Sequence, residues 1–115
     1  MPDSGSEAKV NAGVDRLLRK AIRTKHLLWF RYKDPERVAE PHDYGIQNGV
    51  VRVFRYQVGG QSSGRLPGWR LVDVSEIQDC GILERRFAGN RVASSGKHHR
   101  WDEVFIGVGP PANRR

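Results

Sequence analysis

The sequence predicts a mainly β fold, in which one N-terminal amphipathic helix is followed by five or six short strands in a small barrel or strongly bent sheet. Three observations support this. Apolar residues recur at helical spacing near the start of the chain, short runs rich in β-branched and aromatic residues follow, and Gly, Pro and Asn-Gly signals separate those runs. With 115 residues, the chain is long enough for one domain with one core.

The helix is predicted over about residues 11–24. Basic residues crowd its later turns, where they complement the negative end of the helix dipole. Residues 1–10 are predicted to form a disordered tail, residues 11–108 a single domain, and residues 109–115 a basic C-terminal tail. The apolar face of the helix is formed by Val14, Leu17, Leu18, Ala21 and Ile22.

Short extended segments are predicted after the helix. The first ends at Tyr32, and its hairpin partner is expected to end at Pro41, because proline cannot donate a hydrogen bond to a ladder. The Asn48-Gly49 pair is typical of a tight hairpin turn. The segments predicted as strands are residues 27–32, 37–40, 44–46, 50–58, 69–74 and 77–87, with a last edge strand at 101–108 and exposed connections at 59–68 and 88–99.

The chain is strongly basic, since twenty Lys and Arg residues against thirteen Asp and Glu give a formal charge of +7. Such a surplus on a small protein attracts nucleic acid, nucleotides or anionic surfaces, although it also serves solubility. A single cysteine, Cys80, excludes an internal disulfide and fits a reducing compartment. Because neither a signal-peptide pattern nor a membrane-spanning apolar run occurs, we expect a cytoplasmic protein without a membrane partner.

Basic and aromatic residues occur together in two of the predicted strands. Each face of the longest strand carries an arginine, Arg52 on one and Arg55 on the other. Arginine offers a planar fork for phosphate, and an aromatic ring supplies a stacking platform for a base. Arg70 is expected to point away from its neighbour Trp69 and to converge with Arg55. The sequence therefore predicts a basic and aromatic ligand groove centred on Arg55, Tyr56 and Arg70, with Arg37, Tyr44 and Arg52 at its rim.

Ordinary structural roles compete with this interpretation. Arg52 and Arg55 would reach solvent over apolar neighbours if they lay near strand ends, as long basic side chains do. Trp69 belongs more often to a core than to a binding surface. Glu40 is expected to pair with an arginine and so fix the geometry of the sheet. His42 is expected to lie in a loop without a special role.

No catalytic motif is found in the sequence. The Gly-rich residues 59–68 lack the Gly-Lys-Ser/Thr ending of a P-loop, and no Gly-x-Ser-x-Gly elbow occurs. His98-His99 with Asp102 does not have a standard zinc spacing. We therefore expect no enzyme activity, no catalytic residue, no metal and no cofactor. A small metal-dependent nuclease that uses Asp43 and neighbouring carboxylates is the most distant alternative.

In their order and spacing, several of these residues resemble those of the WYL domain. The resemblance covers roughly residues 17–87 and is strongest to short stand-alone versions with a run like residues 56–60. Where the family carries the Trp-Tyr-Leu run that gives it its name, this chain has Val51-Arg52-Val53. The matching features are a basic helix, a strand ending in Tyr32, then Arg37-Val38-x-Glu40-Pro41, Arg55-Tyr56, Trp69-Arg70-Leu71 and a late Phe87.

The resemblance implies an SH3- or Sm-like barrel that serves as a sensor module in bacterial transcription regulators and binds single-stranded nucleic acid or nucleotide-like ligands. The sequence is therefore interpreted as a non-enzymatic, regulatory module for such an anionic ligand. The alternative is a protein-interaction or dimerisation module with incidental charge, whose edge strand at residues 101–108 pairs with a second copy or a regulator protein. Steep salt dependence of binding would favour the ligand site, and stable dimerisation would favour the alternative.

Overall fold

The structure, a computed structural model, describes residues 11–33, 35–60, 67–89, 91 and 100–109. The predicted tails and most of the predicted connection at residues 88–99 lie outside these ranges. The mainly β fold with an N-terminal helix is confirmed. The described elements are α1 (Ala12–Thr24), β1 (His26–Tyr32), β2 (Glu36–Gln47), β3 (Val50–Gly60), β4 (Gly68–Asp73), one turn of 3-10 helix (Val74–Glu76), β5 (Ile77–Arg86) and β6 (Glu103–Gly107).

The six strands form one antiparallel sheet in the order β4-β3-β2-β1-β5, with β6 paired to β2 outside this path. β4 and β5 are its two ends, and no ladder joins them within the described ranges, so a closed barrel is not confirmed. The predicted last strand is present as β6, which pairs with the second half of β2. In the part of the chain that the structure describes, no helix is long and apolar enough to span a membrane.

The predicted helix is confirmed, and its first predicted residue, Asn11, is its N-cap. The Asn11 Oδ1 atom accepts hydrogen bonds from the backbone N–H groups of Gly13 at 2.7 Å and Val14 at 3.2 Å. The helix ends at Lys25, whose left-handed backbone (φ 60°) turns its N–H back onto helix carbonyls. Its apolar face packs on the sheet through the buried residues Leu18, Ala21 and Ile22.

β2 continues through Pro41, so the prediction that this proline ends the strand is wrong. The first part of β2 pairs with β1 up to Ala39, and the part from Asp43 onward pairs with β6 on the same edge. Pro41 lies between these two partners, where neither strand requires its missing N–H. A register shift against β3 between Pro41 and Asp43 marks a bulge, which allows one strand to serve both partners.

The predicted turn between β2 and β3 is confirmed in its geometry. Asn48 (φ 51°) and Gly49 (φ 78°) both adopt the left-handed backbone that a two-residue hairpin of this kind requires. The Gly49 N–H donates to the Asp102 carboxylate at 2.9 Å, which ties the turn to the segment that precedes β6.

Helix and sheet are joined through Tyr44 of β2, whose side chain is buried in the core. Its hydroxyl donates to the Asp15 carboxylate at 2.6 Å, and the same carboxylate accepts from Arg19 Nε at 3.1 Å. The Phe105 ring of β6 meets the Tyr44 ring edge-on at 5.0 Å. Burial and the bond to Asp15 raise the pKa of Tyr44, so the hydroxyl stays protonated and acts as a structural donor.

Gly45 tests the pairing of β2 with β6, because a Cβ at this position would overlap the backbone carbonyl of Glu103. We expect Gly45→Ala to lower the free energy of unfolding by about 1–3 kcal/mol, since β6 must shift to make room. Gly59→Ala is the control, because its Cβ would make an ordinary 3.6 Å contact with Val38. Urea denaturation measures both, and equal stabilities of the two variants would contradict the position of β6.

Candidate functional site

β3 divides its polar and apolar side chains between the two faces of the sheet. Arg55 and Gln57 lie on the core face with the buried valines that precede them, whereas Arg52, Phe54 and Tyr56 lie on the opposite face. The structure therefore does not bring Tyr56 to the same groove as Arg55. Gln57, which was not among the predicted site residues, is signalled in the sequence by its position two residues after Arg55.

Arg55 is buried, with only 2% of its surface exposed. Its Nη2 donates to Gln57 Oε1 at 3.0 Å, and its Cζ lies 4.8 Å from the centroid of the Phe30 ring. Its Nε and Nη1 atoms are buried without a hydrogen-bond partner among the described residues. Burying a charge with unused donors is costly, so this guanidinium destabilises the fold unless something else satisfies it.

Two further arginines lie beside Arg55 on the same face. Arg70 is its direct cross-strand neighbour on β4, and Arg37 of β2 is paired with Phe30, the residue whose ring Arg55 covers. Burial first, and then the positive charges of Arg37 and Arg70, lower the pKa of Arg55 to about 9. We call Arg37, Arg55 and Arg70 the arginine cluster.

Arg37 has a similar shortage of partners. Its Nη2 donates to the Tyr32 backbone carbonyl at 3.2 Å, and its Cζ lies 5.0 Å from the Tyr32 ring centroid. Its Nε is buried without a partner among the described residues. In the same part of the chain, no carboxylate forms an ion pair with Arg37 or Arg55; the ion pairs there are formed by Arg19, Arg31, Arg52 and Arg91.

Arg52, predicted at the groove rim, lies on the other face and has its charge satisfied. Its Nε donates to the Asp73 carboxylate and its Nη1 to Gln47 Oε1, both at 2.7 Å. These bonds join β3 to the ends of β2 and β4. Tyr44, also predicted at the rim, is the core residue bonded to Asp15. Neither Arg52 nor Tyr44 lies in the arginine cluster.

Tyr56 belongs to an aromatic layer on the face opposite the arginine cluster. The Trp69 ring stacks on Phe54 at 4.6 Å and meets the Tyr56 ring edge-on at 5.1 Å. Arg91 lies with its Cζ 4.0 Å from the Tyr56 ring centroid and donates to both carboxylate oxygens of Glu40, at 2.7 and 2.9 Å. The prediction that Glu40 pairs with an arginine is therefore confirmed.

His42 is a buried strand residue, so the prediction of a loop histidine is wrong. Its ring meets Trp69 edge-on at 4.8 Å and stacks on Phe87 at 5.6 Å. Its Nε2 lies 3.2 Å from the backbone N of Arg91, from which it accepts a hydrogen bond. Burial lowers the pKa of His42, which favours the neutral ring that this bond needs. The cause of the error is Pro41, because the strand continues through it.

Comparison of this chain with protein-family models, with curated proteins and with solved structures finds no match. Its chemistry must therefore be inferred from the arginine cluster itself. Guanidinium groups bind carboxylate and phosphate oxygens through short, charge-assisted hydrogen bonds. Three such groups on one face, with buried donors that no described residue uses, form a site suited to an anion with several oxygens.

Replacing Arg55 tests whether its charge is unsatisfied. We expect Arg55→Met to raise the free energy of unfolding by about 1 kcal/mol or more in phosphate-free buffer, because an apolar chain of similar length replaces a buried, repelled charge. Arg52→Met is the matched control on the other face of β3, and its lost bonds to Asp73 and Gln47 should lower the stability. Chemical denaturation measures both. An Arg55→Met protein less stable than the wild type would show that the charge is compensated.

Alkaline pH offers a second test of the same residue. The pKa of Arg55 is about 9 in the folded protein and higher in the unfolded chain, so the folded state holds fewer protons above that pH. The destabilising contribution is complete at neutral pH and declines as pH rises through about 9. The stability gain of Arg55→Met over the wild type should therefore shrink between about pH 8 and pH 10. A gain independent of pH would contradict the lowered pKa.

Proposed function

We propose that this chain is a non-enzymatic module that binds a phosphate-bearing ligand, single-stranded nucleic acid or a nucleotide-like anion, through the arginine cluster. The observation that carries this proposal is the burial of Arg55 with its Nε and Nη1 atoms unused among the described residues. A phosphate group would accept hydrogen bonds from these atoms and would neutralise the repulsion from Arg37 and Arg70. Binding would then offset the destabilisation that the empty cluster causes.

The surroundings of the cluster support a ligand with both charge and rings. The formal charge of +7 draws anions toward the protein over distances comparable with its size. Tyr32 is half-buried beside Arg37 and offers a ring at the edge of the cluster. In this proposal Tyr32 takes the stacking role that the sequence had suggested for Tyr56, and the ligand contacts the core face of β3.

We also propose that the fold is a WYL-like barrel of the SH3 or Sm type, in line with the resemblance of the sequence. This is supported by the antiparallel strand order and by the single 3-10 turn that links the two end strands of the sheet. A module of this kind would pass on the presence of its ligand through a regulator partner. Dimerisation through β6 is the competing function, and sedimentation at several protein concentrations distinguishes it from ligand binding.

Binding of a fluorescent single-stranded oligonucleotide over a salt series tests the proposed function. We expect wild-type affinity to fall steeply with salt, and Arg55→Met and Arg70→Met to bind at least about tenfold more weakly, since each loses charge-assisted bonds.

Arg31→Met is the charge-matched control for this experiment. Arg31 is half-exposed on the face of β1 opposite Phe30, where it pairs with Glu36 at 3.6 Å. The control should bind nearly as well as the wild type, because it removes one positive charge away from the cluster. No binding at low salt, or the same loss in all three variants, would contradict a site at the arginine cluster.

A further inference from the structure

We propose that the group held by the arginine cluster is a terminal phosphomonoester, the phosphorylated end of a strand or a nucleotide, rather than an internal phosphodiester. This inference rests on the proposed function and specifies the chemistry of its ligand. Three independent features of the cluster support it: the depth of Arg55, the number of positive charges and the number of unused donors.

The depth of Arg55 limits the shape of the group that reaches it. Arg55 is 2% exposed and its neighbour Gln57 is fully buried, whereas Arg37 and Arg70 on the flanking strands are half-buried. The cluster therefore has a deep floor and more accessible sides. An internal phosphodiester carries a sugar on each side and runs along a surface, where it meets the sides only. A terminal phosphate has one ester arm and enters the site end-first.

The charge of the cluster exceeds what a phosphodiester neutralises. Arg37, Arg55 and Arg70 bring three guanidinium groups together, and no carboxylate of the described residues pairs with Arg37 or Arg55. A phosphodiester carries one negative charge, whereas a phosphomonoester carries about 1.5 to 2 at neutral pH. The dianion is therefore the better counter-charge for a buried arginine that two others repel.

The unused donors point to the same group. The buried nitrogen atoms without a partner in the described part of the chain are Arg55 Nε, Arg55 Nη1 and Arg37 Nε. A phosphomonoester presents three terminal oxygens to such donors, and a phosphodiester presents two. Each charge-assisted bond that replaces an unsatisfied buried donor adds to the preference for the monoester.

The test compares oligonucleotides of one sequence with an internal fluorophore and either a 5′-phosphate, a 3′-phosphate or hydroxyls at both ends. We expect at least one phosphorylated strand to bind wild-type protein about tenfold more tightly than the unphosphorylated strand. Arg55→Met should abolish this difference, and Arg31→Met should retain it. Competition with a nucleoside monophosphate and with inorganic phosphate separates the sources, since equal potency of the monophosphate assigns the site to nucleotides and weaker potency assigns it to strand ends.

Two outcomes overturn different parts of the account. If all strands bind equally well to the wild type and Arg55→Met weakens them equally, the site binds internal phosphates, and the proposed function stands without the monoester preference. If no strand binds at low salt and neither the nucleoside monophosphate nor inorganic phosphate raises the melting temperature of the wild-type protein, the proposed function itself fails.

Discussion

β3 is hydrogen-bonded along both of its edges, to β2 and to β4, so its side chains cannot exchange faces without breaking two ladders. A shift of one residue would also expose Val51 and Val53, which are buried on the core face. The same alternation commits Arg55 to that face and turns Tyr56 away from it. The apolar residues at the start of the strand therefore enforce the burial of a charge at its far end.

The way the other arginines are satisfied makes the arginine cluster distinctive. Arg52 has Asp73 within hydrogen-bond distance, and Arg91 holds both oxygens of Glu40. The chain therefore places carboxylates beside arginines on the opposite face of the same strands. On the core face, Arg55 meets other arginines, a glutamine and an aromatic ring. A local absence of counter-charge in a sheet that supplies it elsewhere is the pattern expected of a binding site that sacrifices stability.

The sequence predicted what depends on short-range chemistry. Asn11 as a helix start and Asn48-Gly49 as a turn follow from side-chain capping and backbone preference, and the separation of Arg55 from Tyr56 follows from strand alternation. It could not predict features that depend on distant partners. Tyr44 reaches Asp15 across 29 positions, and Pro41 remains in a strand only because β1 and β6 share one edge of β2. Closure of the sheet into a barrel, which the sequence also favoured, is not confirmed.

The central claim is that Arg55 is the floor of an anion site, and side-chain NMR tests it most directly. The Nε–H signal of Arg55 can be assigned by its loss in Arg55→Met and followed while a nucleoside monophosphate is titrated into the wild-type protein. The account predicts a saturable shift of this signal, with the Nε–H signal of Arg52 unchanged. An Arg55 signal that stays in place while the nucleotide shifts signals elsewhere would contradict it.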